Sequence, residues 1–100
     1  EGMIFNGKSR VPLAASFHLL ATGQNLTVIV NHFKSKGGSG AVGGDSHLND
    51  ADLNDGAGNW NGVRTLSSQA VVAWAATNPT GVVTDNLLIM GDLNAYAMET

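Results

Sequence analysis

Residues 26–33 read LTVIVNHF, and this stretch decides the fold. Its β-branched side chains favour a strand. Residues 86–92 read NLLIMGD, a short continuous apolar run of the kind found in strands covered on both faces. Between these two stretches, residues 61–77 place apolar side chains at spacings of three and four, which predicts a helix. The order strand–helix–strand predicts that the two strands lie parallel in one sheet, joined by a right-handed crossover.

An earlier stretch adds a third strand. Residues 11–20 read VPLAASFHLL and alternate with a period of two, which predicts a strand with one apolar face. Residues 21–25 have the composition of a turn, so this strand and the next form a hairpin. For the helix, Asn59 or Asn61 is the expected N-cap.

Residues 34–60 are rich in glycine and aspartate, which predicts a long loop. Loops longer than roughly 12–15 residues are uncommon and are usually functional or disordered. Within it, residues 50–56 read DADLNDG, which suggests a calcium loop. The spacing argues against calcium, because the glycine is one position late and no acidic residue stands where the bidentate ligand belongs. A solvated acidic loop is the favoured interpretation, and a calcium site at 45–56 stays the alternative.

Length, composition and net charge limit the classes of protein to which this chain can belong. The 100 residues permit one small domain, and 43% hydrophobic residues permit a core. No cysteine is present, and no apolar run approaches the roughly 20 residues of a membrane span. A net charge of −3 argues against a protein that coats polyanions, but not against an enzyme that grips phosphate at one small site. We expect residues 1–100 to be an interior fragment of a single larger domain.

Two polar clusters follow the two parallel strands. Residues 31–37 read NHFKSKG and residues 91–96 read GDLNAY. Because ligands of α/β sheets gather at the carboxyl ends of parallel strands, these clusters should converge at one rim. Asp92 is suited to bind a divalent cation or orient water, and His32 and Asn94 to donate hydrogen bonds to phosphoryl oxygens. On an extended backbone, Asp92 and Asn94 would share a face.

These motifs resemble those of bacterial extracellular nucleases of the endonuclease/exonuclease/phosphatase superfamily, which has the deoxyribonuclease-I-like fold. The segments WNGVR at 60–64 and RVPL at 10–13 add to the resemblance, which spans about Arg10 to Glu99. The GDLN segment alone is common to the superfamily and says little about substrate. Its pairing with HFKSK at 32–36 is much more specific.

The resemblance implies a four-layer α/β sandwich of which this chain forms the middle. It implies a secreted enzyme that hydrolyses phosphodiesters of nucleic acid, DNA and possibly RNA, with Mg²⁺ (or Mn²⁺ or Ca²⁺) and without a membrane partner. Carried over by position, Asp92 would be the metal residue and would orient the attacking water, while His32 and Asn94 would hold the scissile phosphate. Nucleic-acid contacts are expected from Arg10, Lys34, Lys36 and Arg64.

The chain also departs from the family pattern. The family's metal-binding glutamate and its general-base histidine belong to segments absent here, and neither His18 nor His47 lies in such a motif. We therefore expect the chain to be inactive alone. Family members often carry cysteines around the long loop, and this chain has none.

Other interpretations remain open at this point. A phosphatase or phospholipid phosphodiesterase would share the fold, and a non-catalytic binding or adhesion module would explain the absent residues. Asp92 and Asn94 are also typical of a strand-end turn. Arg64 is suited to pair with an acidic neighbour, and Lys34 and Lys36 to be solvated. A three-strand piece with a bare sheet face is expected to be marginally stable or prone to aggregation.

Overall fold

A computed structural model describes residue 5, residues 8–37 and residues 50–99. The elements are β1 (Leu13–Leu19), β2 (Gln24–His32), α1 (Asn61–Ala75) and β3 (Leu87–Asp92). This order confirms the predicted mixed α/β arrangement of strand, strand, helix and strand. The half of the long loop that holds His47 lies outside the described residues. Within the described part of the chain, no helix has the length and apolar character needed to cross a membrane.

The three strands form one sheet in the order β1-β2-β3. β1 pairs antiparallel with β2, which confirms the hairpin, and Gly23 closes its turn with a φ of 72° that suits glycine. β3 pairs parallel with β2 and is reached through α1, which confirms the crossover. The central strand therefore has both neighbours in place, and its carboxyl end lies between them.

Alternate side chains of β2 point towards the helix. Ile29, together with Phe33 just beyond the strand, packs against Val71 of α1 to form the core cluster. Ala14 of β1 and Trp74 of α1 pack against this cluster. The residues of α1 that reach the sheet lie three to four apart, as the sequence periodicity predicts. The helix thus covers β1 and β2 on one face.

The opposite face of the sheet, called here the bare face, is covered by no described element. Its exposed apolar side chains are Leu13, Phe17, Leu19, Leu26, Val30, Leu88 and Met90. The prediction that residues 86–92 are covered on both faces is wrong for the described chain, because every residue of β3 is exposed. The apolar run reflects strand formation, and α1 lies over the other two strands.

The start of α1 also differs from expectation. Neither Asn59 nor Asn61 caps the helix, because Trp60 occupies the N-cap position with a left-handed φ of 69° and makes no side-chain cap. The carboxylate of Asp50 caps it instead, accepting hydrogen bonds from the backbone N–H groups of Gly62 at 2.6 Å and Val63 at 3.2 Å. A carboxylate beside the helix N-terminus also complements the helix dipole. Asp50 is 2% exposed, so this cap is buried.

Candidate active site at the carboxyl ends of two parallel strands

The parallel register places His32 and Asp92 side by side. They are direct partners at the ends of β2 and β3, and their side chains lie on the same face of the sheet. His32 Nε2 stands 3.8 Å from Asp92 Oδ2, which is too far for a direct hydrogen bond. Both side chains are more than half exposed. The pair therefore keeps hydrogen-bonding capacity for a third group.

Asn94 joins the pair through a turn rather than along a strand. β3 ends at Asp92, and Asn94 has a φ of 51° in the left-handed region that asparagine tolerates. Its backbone N–H donates to Asp92 Oδ1 at 3.0 Å, and its side-chain Nδ2 donates to the carbonyl of Phe33 at 3.0 Å. The expectation of an extended backbone is therefore wrong here. The turn fixes one oxygen of Asp92 and leaves Oδ2 facing His32.

Gly91 allows β3 to approach β2 at this rim. Its φ is 130°, and a Cβ atom placed there would stand 2.0 Å from the backbone oxygen of Asn31. The Asn31 side chain, 3% exposed, donates from Nδ2 to the carbonyl of Met90 at 3.1 Å. The backbone of the neighbouring strand therefore approaches β3 closely at Gly91, one residue before the His32–Asp92 pair.

A buried ionic cluster holds the segment after Asp92 in place. The side chain of Glu99 is 6% exposed. Its Oε1 accepts a hydrogen bond from Arg64 Nη2 at 2.8 Å, and its Oε2 accepts one from Arg64 Nε at 2.7 Å. Lys36 Nζ lies 2.6 Å from Glu99 Oε1, donates to the carbonyl of Asn94, and stands 3.7 Å from the centroid of the Tyr96 ring. The loop after β2, the first turn of α1 and the turn of Asn94 are thus tied together.

Burial by itself would raise the pKa of the Glu99 carboxyl. The hydrogen bonds from the Arg64 and Lys36 side chains and from the Tyr96 backbone, with the charge of Arg64, outweigh that effect and hold the pKa below its ordinary value. Glu99 thus stays ionised and its cluster stays intact. Glu99 could not be identified from the sequence, because it is a single glutamate that belongs to no motif.

Arg64 uses all five of its N–H donors within the protein. Besides Glu99, it donates to the backbone carbonyls of Lys34, Asn59 and Ala57 at 2.8 to 3.1 Å. Its side chain is 3% exposed. This geometry favours the interpretation in which Arg64 pairs with an acidic neighbour, and it leaves no donor for a nucleic-acid backbone. Lys36 is engaged in the same cluster.

The remaining predicted contacts, Arg10 and Lys34, lie on the other side of His32. The backbone N–H of Arg10 donates to the carbonyl of His32 at 2.9 Å, which fixes the segment before β1 to the end of β2. A cleft of about 580 Å³, called here the basic cleft, is lined by His32, Arg10, Lys34 and also Lys8. The sequence does not identify Lys8 as part of this cleft, because only the fold brings residue 8 close to residue 34.

The acidic loop makes local hydrogen bonds instead of a shared centre. Asp50 caps α1, Asp52 Oδ1 accepts from the N–H of Asn54, and Asp55 Oδ1 accepts from the N–H of Ala57. Among the described residues, no three histidine, aspartate or glutamate side chains are grouped so as to hold a metal ion. Part of the alternative calcium site at 45–56, including Asp45, lies outside the described residues. His18 is distant from the rim and contacts Asn25 at 2.7 Å.

Asp92 fits one part of a magnesium site. Mg²⁺ is usually held by one or two carboxylates together with water and substrate phosphate, rather than by a protein cage. Among the described residues, no backbone group donates a hydrogen bond to the exposed Oδ2 of Asp92, so this oxygen meets that requirement for a single ligand. No protein-family model, curated protein or solved structure matches this chain.

Proposed function

We propose that this chain carries part of the active site of a metal-dependent phosphodiesterase that hydrolyses nucleic acid. The observation that carries the proposal is the pairing of His32 with Asp92, 3.8 Å apart at the carboxyl ends of two parallel strands. This position is the usual ligand site of α/β sheets. We further propose that the sheet belongs to the four-layer sandwich that the resemblance implies, and that the remaining catalytic groups lie in other parts of that domain.

In this proposal, each residue at the rim acts on the phosphate or on water. The His32 imidazole donates a hydrogen bond from Nε2 to a non-bridging phosphoryl oxygen. The Asn94 amide has a second Nδ2 hydrogen, beyond the one given to Phe33, for the same phosphate. Asp92 Oδ2 accepts a hydrogen bond from the attacking water and orients it in line with the leaving oxygen. These preorganised donors stabilise the charge that develops in the transition state.

Asp92 would also hold the divalent cation. When bound, that ion supplies positive charge for the phosphoryl oxygens and lowers the pKa of water. The water oxygen forms the new bond to phosphorus and gives up one proton, the bond from phosphorus to the leaving oxygen breaks, and the leaving oxygen takes up a proton. Two cationic side chains in the basic cleft, Arg10 and Lys34, favour an anionic substrate near this site.

The test replaces site residues and matched residues at the opposite end of the sheet in the full-length protein. Asp92→Asn and His32→Ala are expected to reduce cleavage of plasmid DNA with Mg²⁺ by at least about 100-fold. Asp85→Asn and His18→Ala remove the same chemical groups away from the rim and are expected to cleave like wild type. Equal activity of Asp92→Asn and Asp85→Asn would refute the assigned role.

Other substrates separate the competing functions. Hydrolysis of inositol phosphate or sphingomyelin in place of plasmid DNA would indicate the phosphatase or phospholipid phosphodiesterase of the same fold. Absence of hydrolysis of all these substrates, with Mg²⁺, Mn²⁺ or Ca²⁺, would indicate a binding module.

A further inference from the structure

We infer that Lys36 is a positioning residue of the candidate active site, which acts through Asn94 on the orientation of Asp92. The inference rests on the proposed function, because it assumes that Asp92 and Asn94 act on a phosphate. It goes further by giving Lys36 a role in the rate of the reaction instead of in the affinity for substrate. The lysine itself touches neither the substrate nor the reacting atoms.

Three groups surround the ammonium of Lys36, whose side chain is 16% exposed. Nζ donates to the backbone carbonyl of Asn94, lies 2.6 Å from Glu99 Oε1, and stands 3.7 Å from the centroid of the Tyr96 ring. An ammonium has three N–H donors, and these partners match that number. Arg64 pairs with the same carboxylate, so the positive charge left over is received by the Asn94 carbonyl and by the face of the ring. A phosphate can bind this ammonium only by displacing one of these partners.

The methylene stem of Lys36 is also held in place. A Cβ atom on Gly58 would stand 3.1 Å from Cδ and 3.2 Å from Cε of Lys36, so the stem lies against the backbone at Gly58. The side-chain amide of Asn59 donates to the Lys36 carbonyl at 3.4 Å. The segment before α1 therefore supports the stem along its length and directs the ammonium towards Asn94.

The contact with the Asn94 carbonyl reaches the candidate active site through one residue. Asn94 has a φ of 51°, and its backbone N–H donates to Asp92 Oδ1 at 3.0 Å. Its side-chain amide donates to the Phe33 carbonyl at 3.0 Å. A left-handed backbone is unfavourable for residues other than glycine, although asparagine tolerates it better than most, so the turn needs contacts that hold it.

Lys36 supplies such a contact from outside the turn. Without it, the Asn94 peptide is free to rotate, and Asp92 Oδ1 loses the donor that fixes it. Rotation of the Asp92 carboxylate then moves Oδ2, the oxygen proposed to orient the attacking water. Reacting groups depend on supporting hydrogen bonds of this kind to keep their geometry. Loss of Lys36 is therefore expected to slow the reaction more than it weakens binding.

The first experiment measures cleavage of a single-stranded deoxyoligonucleotide by the full-length protein with Mg²⁺. Lys36→Met keeps an apolar stem and removes the ammonium, while Glu99 stays paired with Arg64. This variant is expected to lower kcat by at least about ten-fold, the usual effect of removing a group that orients a metal ligand. Lys36→Arg keeps donors for the Asn94 carbonyl and for Glu99, and its kcat is expected to lie closer to that of wild type.

Binding of the same oligonucleotide, labelled and followed by fluorescence anisotropy with EDTA present, separates positioning from substrate contact. Loss of one phosphate contact lowers the slope of log affinity against log salt by about 0.7. Lys36→Met is expected to keep the slope and the affinity of Gln24→Glu, which changes net charge equally at the opposite end of β2. A positioning role thus predicts a lower kcat without a change in the salt slope.

A second pair of variants leaves the charge of Lys36 unchanged. Gly58→Ala places a methyl group 3.1 Å from the Lys36 stem at a φ of 75°, whereas Gly81→Ala has a similar φ of 78° and meets nothing within 4 Å. Gly58→Ala is expected to have the lower kcat. Exchange of the Asn94 backbone N–H with solvent deuterium, followed by NMR, is expected to be faster in Lys36→Met than in wild type and unchanged in Gly81→Ala.

Three results would overturn the inference. In the first, Lys36→Met lowers the affinity and the salt slope while kcat stays at the wild-type value, which would make Lys36 a substrate contact. In the second, the Asn94 N–H exchanges equally fast in Lys36→Met and wild type. In the third, Gly58→Ala and Gly81→Ala have equal kcat values. If wild type cleaves no nucleic acid, yet Lys36→Met speeds this exchange and Lys36→Arg does not, the proposed hydrolysis fails and the ordering of Asn94 by Lys36 stands.

Discussion

Replacing Glu99 by glutamine is expected to destabilise the folded chain by about 3 kcal/mol, because it removes one partner of a buried ion pair. Both Glu99 oxygens accept hydrogen bonds, Oε2 from Arg64 and Oε1 from Arg64, Lys36 and the Tyr96 backbone. In the variant, one oxygen becomes an NH₂ group that faces a donor. The remaining amide oxygen still accepts some of these bonds, which places the loss at the lower end of the roughly 3–5 kcal/mol range for broken buried pairs.

The assay is equilibrium unfolding followed by tryptophan fluorescence, to which Trp60, 2% exposed in the folded chain, and Trp74 both contribute. A loss of about 3 kcal/mol lowers the ratio of folded to unfolded chain by more than about 100-fold. Urea unfolds the chain, and trimethylamine N-oxide shifts the equilibrium towards the folded state, so that both baselines are reached. The control Asp85→Asn removes an exposed carboxylate and is expected to change stability by less than about 0.5 kcal/mol.

The stabilising contribution of Glu99 depends on pH. Because the pKa of Glu99 is lowered in the folded state, its stabilising contribution is complete above the ordinary value of 4.5 and is lost as pH falls through the lowered pKa. The difference in stability between wild type and Glu99→Gln should therefore shrink below that pH. The reasoning is refuted if Glu99→Gln unfolds like Asp85→Asn. It is also refuted if the variant is as stable as wild type and binds an oligonucleotide more tightly, since Arg64 would then serve the substrate.

Two further changes test the backbone around the site. Gly91→Ala is expected to cost at least about 3 kcal/mol in the free energy of unfolding, because its Cβ would clash with the backbone of Asn31 and its φ is unfavourable for alanine. Gly37→Ala, which meets nothing within 4 Å, should cost far less, and equal effects of the two changes would contradict the close approach. Asp50→Ala should lose about 1–2 kcal/mol with the helix cap, measured by urea unfolding, and a loss no larger than that of Asp85→Asn would show that the cap contributes little.

The strands and their pairing could be predicted from the sequence because each depends on nearby residues. Period-two alternation in residues 13–19 and β-branched side chains in residues 26–30 both favour strands by local sterics and burial. The crossover then follows from the order of elements. The cap of α1 could not be predicted, because Asp50 lies eleven residues before the first residue of the helix and reaches it only through the path of the loop.

The candidate site also has residues whose placement the sequence predicts and residues whose placement it does not. The sequence predicts that His32 and Asp92 meet, because both lie at the carboxyl ends of parallel strands. The left-handed turn at Asn94 was missed, since Asn and Asp side chains compete locally with the extended backbone. Glu99 and Lys8 could not be predicted, because their roles depend on partners in distant segments and neither belongs to a recognisable motif.

The bare face and the candidate site form one continuous surface. The alternation that turns Val30 and Met90 towards the bare face also turns His32 and Asp92 towards it, two residues later on each strand. A group that covers the apolar part of this face would exclude water beside the rim and lower the local dielectric constant. Hydrogen bonds from His32 to a phosphate would then be stronger than at the open rim. The electrostatics of the pair and the burial of the sheet are therefore coupled.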